Sequence, residues 1–164
     1  MEHPESGTKP FENVRNQIGF CGIWCGSCVV GNGALVELTS KYQEVVKNYG
    51  LDEWGPKDFD FKEFAKGLTS ISSMALCQGC LKGGGRDNCE IRSCASRKNI
   101  SDCGQCDQPL ACKNLKILQH MRTGAQQAGL FVNTEKADRE ILIQRWTVDL
   151  KNRWPSCVLF LESR

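Results

Sequence analysis

The chain has 164 residues, enough for one domain with a modest core, and its formal net charge of +2 is too small to indicate a nucleic-acid partner. Eleven of its residues are cysteine, several-fold above average usage. No apolar run reaches the roughly 20 residues that would span a bilayer. The first ten residues lack the basic-then-apolar order of a signal peptide, so a cytoplasmic protein is expected.

Compartment decides what so many cysteines do. A cytosolic chain keeps its thiols reduced, and an odd cysteine count fits a disulfide framework poorly. Metal binding is therefore the better reading. Thiolates around zinc would also lower the net charge, so the charge says little about partners.

Residues 1–17 are polar, carry two prolines and are expected to form a flexible arm. A first cysteine group follows at Cys21, Cys25 and Cys28. Leu35, Leu38, Tyr42, Val45 and Tyr49 then recur at helical spacing, and Gly50 is placed to stop that helix. After the turn-like Trp54-Gly55-Pro56, the residues Phe61, Phe64 and Leu68 predict a short helix with Asp58 as its N-cap. Such stripes are expected to be core.

Residues 77–112 show no sustained period of 2 or 3.6, and the glycines at 83–85 argue for loop. A phosphate cradle at Gly83-Gly84-Gly85-Arg86 would need a strand before it and a helix after it, so a flexible loop is expected. With no continuous apolar face, metal must order this stretch, which holds seven cysteines. Beyond it, Leu115, Leu118 and Met121 or Arg122 begin a helix ended by Gly129. A second helix is expected from Asn133 or Thr134, with Ile143, Trp146, Leu150 and Trp154 as its apolar stripe and Pro155 as its stop.

Written out, the cysteine spacing is Cys21-x3-Cys25-x2-Cys28, Cys77-x2-Cys80-x8-Cys89-x4-Cys94 and Cys103-x2-Cys106-x5-Cys112. A tight x2 turn places two sulfurs on one side of the backbone, where they can share a tetrahedral ion at about 2.3 Å per Zn–S bond. Gly26, Gly79 and Gly104 lie inside the three x2 pairs, and glycine eases such turns by accepting positive φ. Cys77, Cys80, Cys89 and Cys94 could fill one site alone. Equally, Cys77 and Cys80 could be joined by Cys103 and Cys106, and spacing does not choose. His120 is an optional further ligand. His3 has no case, and Cys157 is expected to be a small buried residue.

The order of these motifs resembles a family known as the domain of unknown function numbered 3795. The resemblance is carried by Cys21-Gly22-Ile23-Trp24-Cys25-Gly26-Ser27-Cys28, by Cys77-Gln78-Gly79-Cys80, and by Cys89-Glu90-Ile91-Arg92-Ser93-Cys94-Ala95 with Lys98. Cys103, Cys106, Cys112 and Leu115 complete it. It covers roughly residues 18–118 and implies metal binding, with no established activity. Ala111 stands where the family usually has proline, which alters a turn and not a ligand.

The expected fold is a mainly α single domain over 18–164, its helices packed around an irregular cysteine-rich hub, with a small α+β arrangement as the alternative. Its expected ligands are Cys21, Cys25, Cys28, Cys77, Cys80, Cys89, Cys94, Cys103, Cys106 and Cys112, holding about two zinc ions at four thiolates each. Arg92, Arg97 and Lys98 would offset thiolate charge. Closed sites of this kind order the backbone and catalyse nothing, so an interaction or accessory module of unknown partner, a protein being one option, is expected rather than an enzyme. The sequence indicates neither membrane nor nucleic acid as partner.

The first alternative is an iron–sulfur protein with an electron-transfer or structural role. Cys21-x3-Cys25-x2-Cys28 has the spacing by which radical S-adenosylmethionine enzymes hold a four-iron cluster, but repeated strand–helix alternation is missing. The second is a thiol redox protein using Cys25-Gly26-Ser27-Cys28, which would ordinarily follow a strand in a βα pattern. No hydrolase motif is present.

Overall fold

Seven α-helices realise the helical patterns within residues 10–153, the part of the chain that the computed structural model describes. They are α1 (Pro10–Val14), α2 (Ala34–Asn48), α3 (Leu51–Trp54), α4 (Phe61–Ser72), α5 (Glu90–Arg97), α6 (Leu115–Gln127) and α7 (Arg139–Arg153). Among the described residues the extended pairing is limited to two isolated antiparallel bridges, Ile18 with Trp24 and Ile23 with Val132. The chain is mainly α, as its periodicity predicts. No helix of the described residues is long and apolar enough to cross a membrane.

The flexible arm expected over residues 1–17 is corrected from Pro10 onward. Pro10–Val14 is helical, and Phe11 and Val14 are buried. Phe11 packs edge-on against Trp24, with ring centroids 6.3 Å apart. Trp24 is fully buried, with Phe131 at 5.9 Å and Trp146 at 5.9 Å. Ile18, Leu142 and Leu150 complete this core, and each large apolar side chain removed from water contributes about 1.5–3 kcal/mol. The C-terminal helix, to which the motifs gave no role, therefore closes the core directly beside Cys25.

Residues 130–134 do not begin α7, contrary to expectation. Their backbone is used elsewhere: the Trp24 N–H donates to Phe131 O at 2.9 Å and the Asn133 N–H to Gly22 O at 2.8 Å. The helix starts at Arg139, where Asp138 Oδ1 accepts from the amides of Glu140 and Ile141. In the same way Asp60, not Asp58, caps α4, accepting from the amides of Lys62 and Glu63. Trp154, Pro155, Cys157 and His3 lie outside the described residues.

Two further expectations are corrected. The stripe on α2 is not core: Leu38, Tyr42 and Val45 are about half exposed and Tyr49 is 68 % exposed. The α2 helix packs mainly on α4 and α3, with Tyr42 against Phe64 at 6.2 Å, and this packing leaves the stripe only half covered. The stretch 77–112 is not without a helix, because α5 lies inside it. Ile91 and Ala95, one turn apart, are buried there, too short a pattern to register as a period. Ile91 joins Leu118 and Cys21 in a second apolar cluster, with Phe20, Met121, Cys89 and Cys103 packed against it.

Candidate functional site

The first cysteine group is held by the core. Cys25 opens a short 3-10 turn through Ser27, and the Cys28 N–H donates to Cys25 O at 3.1 Å. Ser27 Oγ donates to Trp24 O at 2.7 Å and accepts from the Phe131 N–H at 3.1 Å, so the turn is fixed to the segment before α7.

The second group reaches the first through buried Gln17. The Cys25 N–H donates to Gln17 O at 2.8 Å, while Gln17 Nε2 donates to Gln78 O at 3.1 Å inside the Cys77-x2-Cys80 turn. The Cys77 N–H donates to Val30 O at 3.4 Å, and the Gly79 N–H donates to Cys77 Sγ at 3.5 Å. Gly79 takes φ +77°, as expected for an x2 turn, and has Gln17 Oε1 pressed against it. Gly26 and Gly104 do not take positive φ. Glycine there answers to space, since a Cβ would lie 2.5 Å from the Trp24 ring or 2.8 Å from Asp102 Oδ1.

The third group reaches the first from its other side. The Cys103 N–H donates to Phe20 O at 2.8 Å. Fully buried Asp102 accepts from the Gly104 N–H at 2.7 Å and pairs with Arg139 at 3.1 Å. Arg139 also donates to Ile18 O at 3.1 Å, which ties α7, Ile18 and the Cys103 turn together. Sequence reasoning missed Gln17, Asp102 and Arg139. Only Asp102 carried a local signal, a side chain two residues before a turn glycine.

These connections tie the first cysteine group to the second on one side and to the third on the other. Burial pushes the Cys25 thiol up to about 12, with the negative charge that Cys80, Cys28, Cys21 and Cys77 would carry adding to the rise. Burial also raises Cys21, opposed by the backbone amide of Ile23 and reinforced by Cys80 and Cys89. Cys103 is pushed up to about 11 chiefly by burial. Arg122 opposes the rise, whereas Cys112, Cys21 and Cys94 add to it. Cys80 Sγ and Cys21 Sγ both lie within 3.9 Å of the point where a Gly19 Cβ would stand.

The remaining thiols have identifiable surroundings. Cys89 caps α5, its Sγ accepting from the Arg92 N–H at 3.5 Å. Lys98 Nζ lies 3.5 Å from Cys106 Sγ. Of the cations expected beside the thiolates, Lys98 is there. Arg92 instead donates to Gly84 O at 2.6 Å and Arg86 O at 3.1 Å and fixes the glycine loop, and Arg97 lines an open hollow with Lys113 and Glu90. Arg122, on α6, donates to Cys21 O at 2.9 Å, and its Nη2 is buried with no hydrogen-bond partner among the described residues. His120 is exposed on α6.

All ten cysteines from Cys21 to Cys112 are free thiols. As the side chains stand, no three Cys, His, Asp or Glu among the described residues converge closely enough to hold an ion. The ties described above join the segments that carry the thiols rather than the thiols themselves.

Burial sets a pH dependence for the metal-free protein. The folded Cys25 and Cys103 values lie above the ordinary 9.0, so the folded state holds these protons more tightly than the unfolded one. Their contribution to stability is fully present below pH 9.0 and is lost as pH rises toward 11 and 12. Reduced, metal-free protein is expected to melt at progressively lower temperature above pH 9.0. Circular dichroism melts of the wild type and of Cys25→Ser check this, the variant showing the smaller fall. Equal falls would show that this thiol is not protected by burial.

No curated protein and no solved structure matches the chain. The family described as protein of unknown function DUF3795 matches residues 17–117, a span that includes all ten clustered cysteines, and the chain belongs to that family.

Proposed function

We propose that this protein is a zinc-binding structural module whose ordered surface serves an interaction with another protein. The observation that supports the reading is that three separated segments carrying ten free thiols are tied to one another by hydrogen bonds rather than by disulfides. The donor chemistry suits a thiolate-seeking ion. Amides of Gly79 and Arg92 already point at sulfurs, Lys98 stands beside Cys106, and the unpartnered Arg122 Nη2 could donate to a thiolate. Zinc bound by four thiolates supplies folding energy and keeps no open coordination position. A reducing compartment such as the cytosol would keep these cysteines available.

The thiol redox alternative fits less well. A reactive cysteine has its pKa lowered by cations or a helix N-terminus, whereas Cys25 is pushed up to about 12. Protein purified without air is expected to carry about two zinc ions per chain, at four thiolates per ion. Elemental analysis tests this together with colour. Iron with sulfide and a brown solution would replace zinc by a cluster, and metal-free protein would overturn both.

A further inference from the structure

We propose that the exposed apolar face of α2, running from Leu38 to Tyr49 and ending at Trp54, is a docking surface for a basic amphipathic helix of a partner protein. The inference rests on the reading of this chain as an interaction module and names the surface and the chemistry of its partner. It does not draw on the cysteines.

The face is amphipathic by sequence yet unpartnered in the fold. Leu35, Leu38, Tyr42, Val45 and Tyr49 repeat at spacings of 3 and 4, the pattern of a helix that packs along its length. The buried residue on α2 is Ala34, at its start, and α4 buries none. Tyr42 leans on Phe64 at 6.2 Å and Phe64 on Phe59 at 5.5 Å, so α4 covers the stripe in part. The rest is open: Tyr49 is 68 % and Trp54 66 % exposed, and Leu38, Val45 and Phe59 are about half exposed. Trp54 Nε1 donates to Tyr49 O, which sets the indole at the end of the stripe. A contiguous exposed apolar patch marks an interaction site, and Trp and Tyr are the residues that most often anchor one.

Charge selects the occupant. Along α2 the charges of Glu37, Lys41, Glu44 and Lys47 alternate in sign and cancel. The end beyond Tyr49 is different, because Asp52, Glu53, Asp58 and Asp60 stand against Lys57 and Lys62 alone. Lys57 is engaged by the main-chain carbonyls of Asp52 and Glu53, and Lys66 is paired with Glu63. Asp60 caps α4, whereas Asp52, Glu53 and Asp58 make no ion pair among the described residues. Three uncommitted carboxylates beside Trp54 in the chain repel an anionic membrane surface and attract lysine or arginine. The faces of the Trp54 and Tyr49 rings bind the same cations. A helix of 15 residues with anchors at i, i+4, i+7 and i+11 suits a second helix laid along it, its basic end over the carboxylates.

The test uses reduced full-length chain and two fluorescein-labelled probes, an amphipathic peptide of leucine and lysine and the same peptide with glutamate in place of lysine. Fluorescence anisotropy is expected to show binding of the lysine peptide, weakened by salt, and about tenfold weaker binding of the glutamate peptide. Tyr49→Ala with Trp54→Ala is expected to weaken the lysine peptide by about tenfold, with the melting temperature unchanged because both residues are exposed. Asp52→Asn with Glu53→Gln and Asp58→Asn is expected to abolish the preference for lysine. Leu110→Ala, at a site 94 % exposed on another loop, is expected to leave binding as it is. No binding of the lysine peptide, equal binding of both peptides, or an equal loss in Leu110→Ala would overturn the proposal. So would a dimer in sedimentation that the Tyr49 and Trp54 substitutions dissolve, or binding to phosphatidylserine vesicles that they abolish, since the occupant would then be a second copy or a membrane. Zinc content of the same samples separates this inference from the metal reading. Metal-free chain that binds the lysine peptide would overturn zinc alone, and zinc-loaded chain that ignores the peptide would overturn the docking face alone.

Discussion

If the chain holds zinc as proposed, stripping it with a strong chelator is expected to open residues 77–112 to protease while α7 survives longer. Within that stretch the buried apolar side chains, among the described residues, are Ile91 and Ala95. Two such residues cannot order 36 positions against chain entropy of about 1–2 kcal/mol per residue. A structural zinc contributes on the order of 10 kcal/mol in small peptides, so its loss removes the main source of order. The α7 helix stands differently, with Leu142, Trp146 and Leu150 packed against Phe11, Ile18 and Trp24. The two parts are linked at Arg139, which pairs with Asp102 and donates to Ser101 Oγ, and just before α7 by the exposed Lys136–Asp107 pair. Limited proteolysis read by mass spectrometry decides the matter. Simultaneous cutting in 77–112 and in α7 would show that the thiol groups and the Trp24 core unfold as one unit.

What could be read from sequence follows the range of the interactions involved. Gly50 and Gly129 stop their helices as expected because a positive-φ glycine is a local device, and both take it. The start of α7 could not be read, because the amides at 131 and 133 are engaged by Ser27 and Gly22, more than a hundred residues away. The α2 stripe misled for the opposite reason. Its period is helical, but period alone does not say whether a partner surface exists, and Leu38 to Tyr49 remain largely uncovered. Cysteine spacing identified the turns, since an x2 pair is a local structure. How the turns combine depends on Gln17, Val30 and Phe20, residues with no metal-ligand character and no motif to announce them. The sequence therefore named the candidate thiols but could not divide them.

On the zinc-binding reading, Gly79→Ala is expected to lose metal, whereas Gly83→Ala is expected to keep it. Both glycines take positive φ, at +77° and +86°, but Gly83 lies in the left-handed helical region whereas Gly79, at ψ 153°, lies in a region almost reserved for glycine, so backbone strain also falls harder on Gly79. Their surroundings differ. A Cβ on Gly83 meets nothing within 4 Å, but one on Gly79 overlaps the Gln17 side chain. That side chain is buried and held at its other end, where Nε2 donates to Asn13 O at 3.0 Å and to Gln78 O at 3.1 Å. It cannot swing aside without breaking both bonds, and a buried donor left unsatisfied costs about 1–3 kcal/mol. The bond to Gln78 also ties the Cys77 turn to the residue whose carbonyl accepts from the Cys25 N–H, so the damage falls where the first two cysteine groups meet. Zinc content of the two purified variants, with a melting curve for each, checks this. Equal metal loss in both would show that the loss is not specific to the Cys77 turn. Full metal content in Gly79→Ala would show that Gln17 does not clamp the turns.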